Sequence, residues 1–476
     1  NAYLRTTDII VSAIEKGVHN AVFAYRQEKI FRPTAKIHAD ESFVINFFRE
    51  KGVLQRVEYQ NPVEEVATYG AVRIVGPGGL PSKDSVQPRD RQVRLSHYGN
   101  LDPVDTSEGD PGTRLYLTTG HVYDENTSSF VKMDLEENNN YILGPSSSLV
   151  PYADKDDPAR LAMASNQMRQ AVSVLRSEKP LVSSGYEAYI ASMCSSTFAK
   201  KANMDGRVVY IDEHVVVIED KNGHREAIDV RPQSLASGSG LNTGITYTPT
   251  VKVGQEVKKN DIIASNQFIH DTLTQGLNAK ACYLSYMGYN YEDGLIISQS
   301  LAERLTSLHY DEIEVYLGDV DQIEVFPQIG QQFNTDDVIL QIKQQIKDVT
   351  VAQDIVITAP SPMRVVDIQV FPKNLEKVKS ILDQIDKYYA NTNAKLKELG
   401  LPLLFDKEHI IASAGKFKEH TDPLKNTKIV IKLLRYMVTS LGDKLTNRHA
   451  AKGVVTRVIP DNLMPVTDTG EKMEII

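Results

Sequence analysis

The apolar runs of this chain are the length of β-strands: Val215 to Ile218 and Leu295 to Ile297 are typical, each bounded by polar, charged or glycine residues. Runs of this kind suit half-buried strands and rule out a membrane-crossing helix, which needs about 20 consecutive apolar residues. With 476 residues the chain can bury several cores at the usual domain size. The expected fold class is mixed α/β, β-rich and multidomain.

Punctuation along the chain refines this. From residue 61 to 120 glycines and prolines, Gly76 to Gly79 and Pro103 to Gly112 among them, predict a turn-rich path that is costly to order alone. Apolar periodicity predicts a helix over 159–175 and another over 374–399, the second with Leu375, Val378, Ile381, Leu382, Ile385 and Tyr389 on one stripe. Pro372 precedes this second helix and Gly400 with Pro402 ends it, and it reads as a surface or protruding helix between two β-rich regions. Strands are expected over 207–219. The segment Val251 to Ala264 and its echo Gly330 to Ile339 read as hairpins through a glycine turn. A helix-like start and an apolar stretch at Phe43 to Phe48 fall within residues 1–60.

Cys194 and Cys282 are the only cysteines and neither belongs to a CxxC pair, which excludes a cysteine framework and a zinc knuckle and suits a reducing compartment. Net charge is −9, so any nucleic-acid site must be local. Such a locality exists. Between Lys425 and Arg457 eight basic residues face one acid, Asp443, for a net +7 in 33 residues. Within it Lys444 and Lys452 flank glycine-bounded turns, where lysines can hold a phosphodiester chain as point charges. A solvated basic face is the plain alternative, and His449 lacks the spacing of a metal-binding pair. The second chemical feature is Gly288 to Gly294, in which Glu292 and Asp293 are adjacent acids on a glycine-bounded bend that can aim one or both at a metal–phosphate centre. Read alone, these acids are equally a structural turn.

In combination these segments resemble a known family. GYNYEDGLIIS at 288–298 resembles the GYNxED segment of the β subunits of cellular RNA polymerases. IVGPGGL at 74–80 and RLSHYGNLDPVDTSEG at 94–109 resemble the fork region and the HYGRxCPxETPEG segment after it. DDPARLAMASNQMRQAVSVL at 156–175 is similar to DDANRxLMGxNMQRQAVPLL, and GDKLTNRHAAKGVV at 442–455 to GDKxAGRHGNKGVI. Five collinear motifs cover about 390 residues.

The resemblance implies a double-psi β-barrel formed from 241–299 and 426–476, interrupted by a flap-like insertion over 300–425. A fork-region and external-lobe-like segment over 1–120 and an RNA- and NTP-proximal core segment over 121–240 would precede it. It implies template-directed nucleotidyl transfer, with magnesium held chiefly by a DxDGD group on a β′-type partner; this chain has no such motif. By position, Asp293 with its neighbour Glu292 would stand near the second metal, and Lys444 and Lys452 beside the RNA 3′ end. Arg160 would approach the incoming triphosphate, Arg169 and Gln170 would lie near RNA, and Arg448 and His449 would shape the barrel loop.

Expected partners are the β′-type subunit or its split fragments, an N-terminal β-type fragment, a promoter-specificity subunit, DNA template, RNA transcript and NTPs, with no membrane. The chain opens on Asn1 and stops at Ile476 before the family's NPxGVPSRMN segment. A split β subunit, as in giant bacteriophages, is therefore expected, working in the cytoplasm of an infected bacterium or carried in the virion. The departures include Ala71 and Arg73 in the fork region, Ser107 to Gly112 after it, and Ala450 and Ala451 where the family carries glycine and asparagine. A noncatalytic nucleic-acid scaffold and a metal-dependent hydrolase using Glu292, Asp293 and His449 are the competing readings.

Overall fold

The structure is a computed structural model that describes residues 15, 18, 19, 59–76, 79–107, 109–124, 129–132, 141–236, 242–345 and 352–476. Apart from Glu15, Val18 and His19, which are helical, the expected elements within residues 1–58 lie outside the described residues, as do Pro77, Gly78 and Glu108. The chain forms two compact units, one of residues 1–57, 67–148 and 157–166, the other of 58–66, 149–156 and 167–476.

In the first unit the turn-rich path is ordered by its own side chains. Asp102 is 1% exposed, and its Oδ1 accepts the backbone N–H groups of Val104 (2.7 Å) and Asp105 (3.0 Å). Its Oδ2 accepts the N–H of Gly144 at 2.6 Å and the hydroxyl of Ser147. A buried carboxylate with four donors replaces the solvent that such a loop would otherwise keep.

The strands that matter for the site belong to the second unit, and each of the first two helices has residues in both units. Helix α1 spans Pro62–Tyr69 and α2 Pro158–Gln170. Strands β1 (Gly206–Ile211), β2 (Val215–Glu219) and β3 (Arg225–Asp229) form an antiparallel sheet. Strand β4 (Gly294–Ser298) is followed by β5 (Ser307–Leu317), β6 (Met363–Phe371), helix α3 (Lys379–Glu398) and β7 (Thr427–Met437). Strands β8 (Lys444–Thr446) and β9 (Lys452–Ile459) close the series. A six-stranded sheet has β7 between β5 and β6, and β9 lies between β4 and β8 in a three-stranded one. The fold is mixed α/β and β-rich, as expected.

Three expectations need correction. Helix α3 begins at Lys379 and not at 374, because the N–H groups of Lys373 and Asn374 bond the Thr427 hydroxyl (3.0 and 3.3 Å) and hold the chain out of helical geometry. It also does not protrude. Ile381, Leu382, Ile385 and Tyr389 enter the core between β5, β6 and β7, and Leu396 packs with Val215 and Val217 of β2. Its end is where the glycine predicts: Gly400 has φ +72°, Leu401 N–H bonds Leu396 O (2.9 Å) and Gly400 N–H bonds Lys397 O (3.1 Å), a Schellman motif.

Helix α2 stops at Gln170 and not at 175. The fully buried Asn61 amide donates to the carbonyls of Met168, Arg169 and Ala171 at 2.8 to 2.9 Å, capping the helix from a distant segment. The oxygen of the same side chain accepts Glu64 N–H at 2.9 Å and so starts α1, with Pro62 at its first position.

The two hairpin readings also change, since neither segment pairs with itself. Glu256–Val257 and Ile262–Ser265 join different sheets, as do Gln332–Phe333 and Val338–Gln345. The echo is nevertheless carried into three dimensions. Gly254 and Gly330 have φ +90° and +88°, and Asn260 and Asp336 have φ +74° and +67°. Gln255 closes the first turn onto Lys252 N–H (3.0 Å) and Asp261 the next onto Lys258 N–H (2.8 Å). Gln331 does the same with Gln328 N–H (2.9 Å) and Asp337 with Asn334 N–H (2.6 Å).

Replacing Asn61 by Ala removes a helix N-cap and leaves buried carbonyls without their donor. The expected loss is about 2–4 kcal/mol, read as a lower denaturant midpoint, with faster amide exchange at 62–69 and 168–171.

Candidate functional site

Strands β4 and β9 run parallel, with Gly294 opposite Val454 and Leu295 opposite Val455, and β8 returns antiparallel with Lys444 opposite Val454 and Thr446 opposite Lys452. The turn bearing Glu292 and Asp293 therefore lies beside the hairpin bearing Lys444 and Lys452. Backbone contact is close. Val454 N–H bonds the Asp293 carbonyl at 2.8 Å, and a Cβ on Gly453 would sit 2.5 Å from that oxygen and 2.7 Å from Leu295 Cγ. Only glycine fits there. On the far edge of β4, Ile296 and Ile476 exchange both backbone hydrogen bonds, at 3.1 and 2.9 Å.

The acidic bend is tightly built. Asn290 Oδ1 accepts Tyr286 N–H (2.9 Å) and its Nδ2 donates to Leu284 O (2.6 Å). Gly288 has φ +78°, and Glu292 takes the left-handed conformation at φ +55°, unusual for a side chain of its size. Glu292 and Asp293 are exposed, as are Lys444 and Lys452, and none of the four side chains forms an ion pair among the described residues.

The lysine hairpin has its own supports. Asp443 Oδ2 accepts Ser440 N–H (2.8 Å) at the turn into β8. Asn447 Oδ1 accepts the N–H groups of His449 (2.9 Å) and Ala451 (3.0 Å). Ala450, where the family pattern has glycine, keeps a left-handed φ of +60° while buried. Arg448 reaches Leu149 O (3.2 Å) and the Glu187 carboxylate (2.9 Å). Burial opposes ionisation of Glu187, but hydrogen bonds from its own N–H, Arg448 and Ser184 outweigh it and hold the acid below its ordinary 4.5. His449 Nδ1 lies 2.6 Å from Asp156 Oδ2.

The basic run resolves into two populations, which corrects the picture of one continuous field. Lys428 pairs with Glu314 (2.9 Å) and Glu419 (3.2 Å), Lys432 with Asp367 (3.5 Å), Arg435 with Asp311 (2.6 Å) and Arg448 with Glu187. Lys425, Lys444, Lys452 and Arg457 have no acid partner among the described residues, and the last three all lie on β8 and β9.

The other predicted residues are placed differently. Arg169 is 4% exposed and pairs with Glu64 at 3.1 Å, so its charge is spent inside the second unit, while Gln170 beside it is exposed. Arg160 belongs to the first unit, exposed in the first turn of α2, where its N–H meets Asp157 Oδ2 at 3.4 Å. Sequence reasoning passed over Asn61 and Thr456, and took Asn447 and Arg457 only as members of a motif and of the basic run. The Asn-Pro-x-Glu pattern at 61–64 was a readable N-cap signal.

Two exposed carboxylates can contribute to a divalent ion, and among the described residues no group of three or more His, Cys, Asp or Glu could hold one alone. The hydrolase alternative lacks its ligand set among those residues. Likewise, none of the described helices is long and apolar enough to cross a membrane.

Comparison with known proteins gives the chain a family. Residues 146–476 match the family RNA polymerase Rpb2, domain 6, and the chain belongs to that family. It is similar to the DNA-directed RNA polymerase subunit beta of Mycoplasmopsis pulmonis, 26% identical over 94% of this chain and 42% of the relative. The subunits of the same name from Mycoplasmopsis synoviae (25%, 98% and 44%) and Mycoplasma pneumoniae (24%, 90% and 35%) are comparable. The chain thus spans less than half the length of these relatives.

Gly453→Ala is expected to force β4 and β9 apart, costing about 3 kcal/mol or more and exposing the amides of 294–298 and 452–459 to exchange. Unchanged protection there would refute the close approach.

Proposed function

We propose that this chain is part of the β-type subunit of a multisubunit DNA-directed RNA polymerase and supplies one side of its nucleotidyl-transfer centre. The observation that carries the reading is the meeting of the Glu292–Asp293 bend and the Lys444–Lys452 hairpin on one sheet, from segments far apart in sequence. In the reaction an RNA 3′ hydroxyl attacks the α-phosphate of an incoming NTP and pyrophosphate leaves. Lys444 and Lys452 hold the RNA end by charge, without reading bases. Asp293, with Glu292 beside it, supports a magnesium ion whose principal ligands belong to a β′-type partner; the ion, when bound, neutralises phosphate charge. By the resemblance, Gln170 and the loop shaped by Arg448 and His449 are assigned to the approach of RNA, and Arg160, in the first unit, to the incoming nucleotide. The buried ion pair of Arg169 gives that residue a supporting place in the same reading.

In finer detail, β4, β8 and β9 belong to a double-psi β-barrel and residues 300–425 to a flap-like insertion. The parallel pairing of β4 with β9 supports the first assignment, and the second rests on the resemblance. The β subunit is divided among polypeptides, as in the giant-bacteriophage enzymes the chain resembles, with an N-terminal β-type fragment and a promoter-specificity subunit completing it. It works on DNA template, RNA transcript and NTPs in the cytoplasm of an infected bacterium or from the virion. Subunit masses in the natural complex test that division, and a single full-length β would refute it.

Template-dependent RNA extension by the purified complex tests the function. Asp293→Ala should lower extension by about 10²-fold or more. Lys444→Ala/Lys452→Ala should weaken retention of the RNA end, make its salt dependence shallower by about one to two units of log–log slope, and leave sequence preference unchanged. Full extension by the lysine variant across the salt range would overturn their role, and full extension by Asp293→Ala would overturn the role of the acid.

A further inference from the structure

The pairing of β4 with β9 contains an irregularity with a chemical use. Leu295 faces Val455, but the next residue, Ile296, faces Arg457, so Thr456 is an extra residue in β9. In a regular strand successive side chains alternate between faces. Here Thr456 and Arg457 are both exposed, one after the other. A bulge of this type turns side chains toward a new target.

Both side chains reach the acidic bend. The Thr456 hydroxyl lies 2.6 Å from the Tyr289 carbonyl and 3.1 Å from that of Leu295, bridging the two ends of the turn that carries Glu292 and Asp293. The Arg457 guanidinium lies 4.1 Å from the centre of the Tyr289 ring, at cation–π distance. Gly294 completes the clamp, since a Cβ there would be 2.8 Å from Tyr289 O and 3.1 Å from Thr456 Cγ2. Tyr289 is thus gripped by backbone and ring, three residues before Glu292.

We propose that Thr456 and Arg457 are positioning residues, set by the bulge in β9 to hold the Tyr289–Gly294 turn and so fix where the Asp293 carboxylate is presented. They act through the turn and touch neither nucleotide nor metal. The catalytic consequence rests on the proposed function, whereas the clamp does not.

The test uses the complete complex with Thr456→Val, Thr456→Ser, Arg457→Leu and Arg457→Lys. Hydrogen exchange at 286–294 should quicken about fivefold or more in Thr456→Val and Arg457→Leu, with exchange at 307–317 unchanged as the control for folding. Thr456→Ser and Arg457→Lys should restore most of the protection. In extension assays the two disruptive variants should need several times more magnesium for half-maximal rate and recover at high magnesium, which a loss of folded protein would not produce. Unchanged exchange at 286–294 overturns the clamp. Altered exchange with an unchanged magnesium requirement overturns its role in presenting Asp293. A wild-type complex without extension activity would count against the proposed function, and the exchange measurement would still decide the clamp.

Discussion

The parallel contact of β4 with β9 is the constraint on which the site depends. Parallel strands cannot be joined by a tight hairpin and need a long crossover. Here the crossover is the whole segment from Gln299 to Ala451, which must leave β4 and return beside it. It does so because its two ends are zipped together: β5 and β7 pair antiparallel over eleven successive positions, from Ser307 opposite Met437 to Leu317 opposite Thr427. The insertion between them, with β6 and α3, closes its own core and returns the chain to β8 a few residues later. The glycines then settle how near the strands come. With Gly453 against the Asp293 carbonyl, the acid turn and the lysine hairpin share one end of one sheet.

Charge shows where a linear reading reaches its limit. The basic run near the end was plain in the sequence, and so was its chemistry. Its neutralisation was not. Lys432 takes Asp367 from β6 and Arg435 takes Asp311 from β5, partners fixed by strand register and invisible to a local count. Lys428 is held charged above its usual range, chiefly by its hydrogen bond to Glu314. Three of the eight are thus in structural cross-strand pairs, and Arg448 is held by Glu187. Apart from Arg457 at the Tyr289 ring, what remains without acid partners on β8 and β9 is the pair Lys444 and Lys452, which in the proposed function holds one end of a chain.

Element existence was legible and element ends were not, for a physical reason. The stripe of α3 follows from side-chain periodicity, and its terminus from Gly400, both local signals. Its start is set by Thr427 on another strand, and the end of α2 by Asn61 on another helix, so neither boundary is written near the residues it concerns. The Gly254 and Gly330 segments make the same point. Their turns are local and were readable as a repeat, but the choice of sheet for each flanking strand is a tertiary decision.

The separation of duties within the site follows from these contacts. Arg448, Asn447, Asp443, Thr456 and the two glycines spend their hydrogen bonds and close contacts on shape. Asp293, Glu292, Lys444 and Lys452 spend none of their side-chain bonding on the described residues. Exposed charges of opposite sign set side by side yet unpaired gain little from each other in water. In the proposed function they are left for a partner that brings phosphate and metal. A nucleic-acid scaffold that merely retained the fold would need the first group and the lysines, but not the acids. The acids add little to the fold and nothing to the grip of lysines on a phosphate chain, which is in keeping with the shared active centre proposed above.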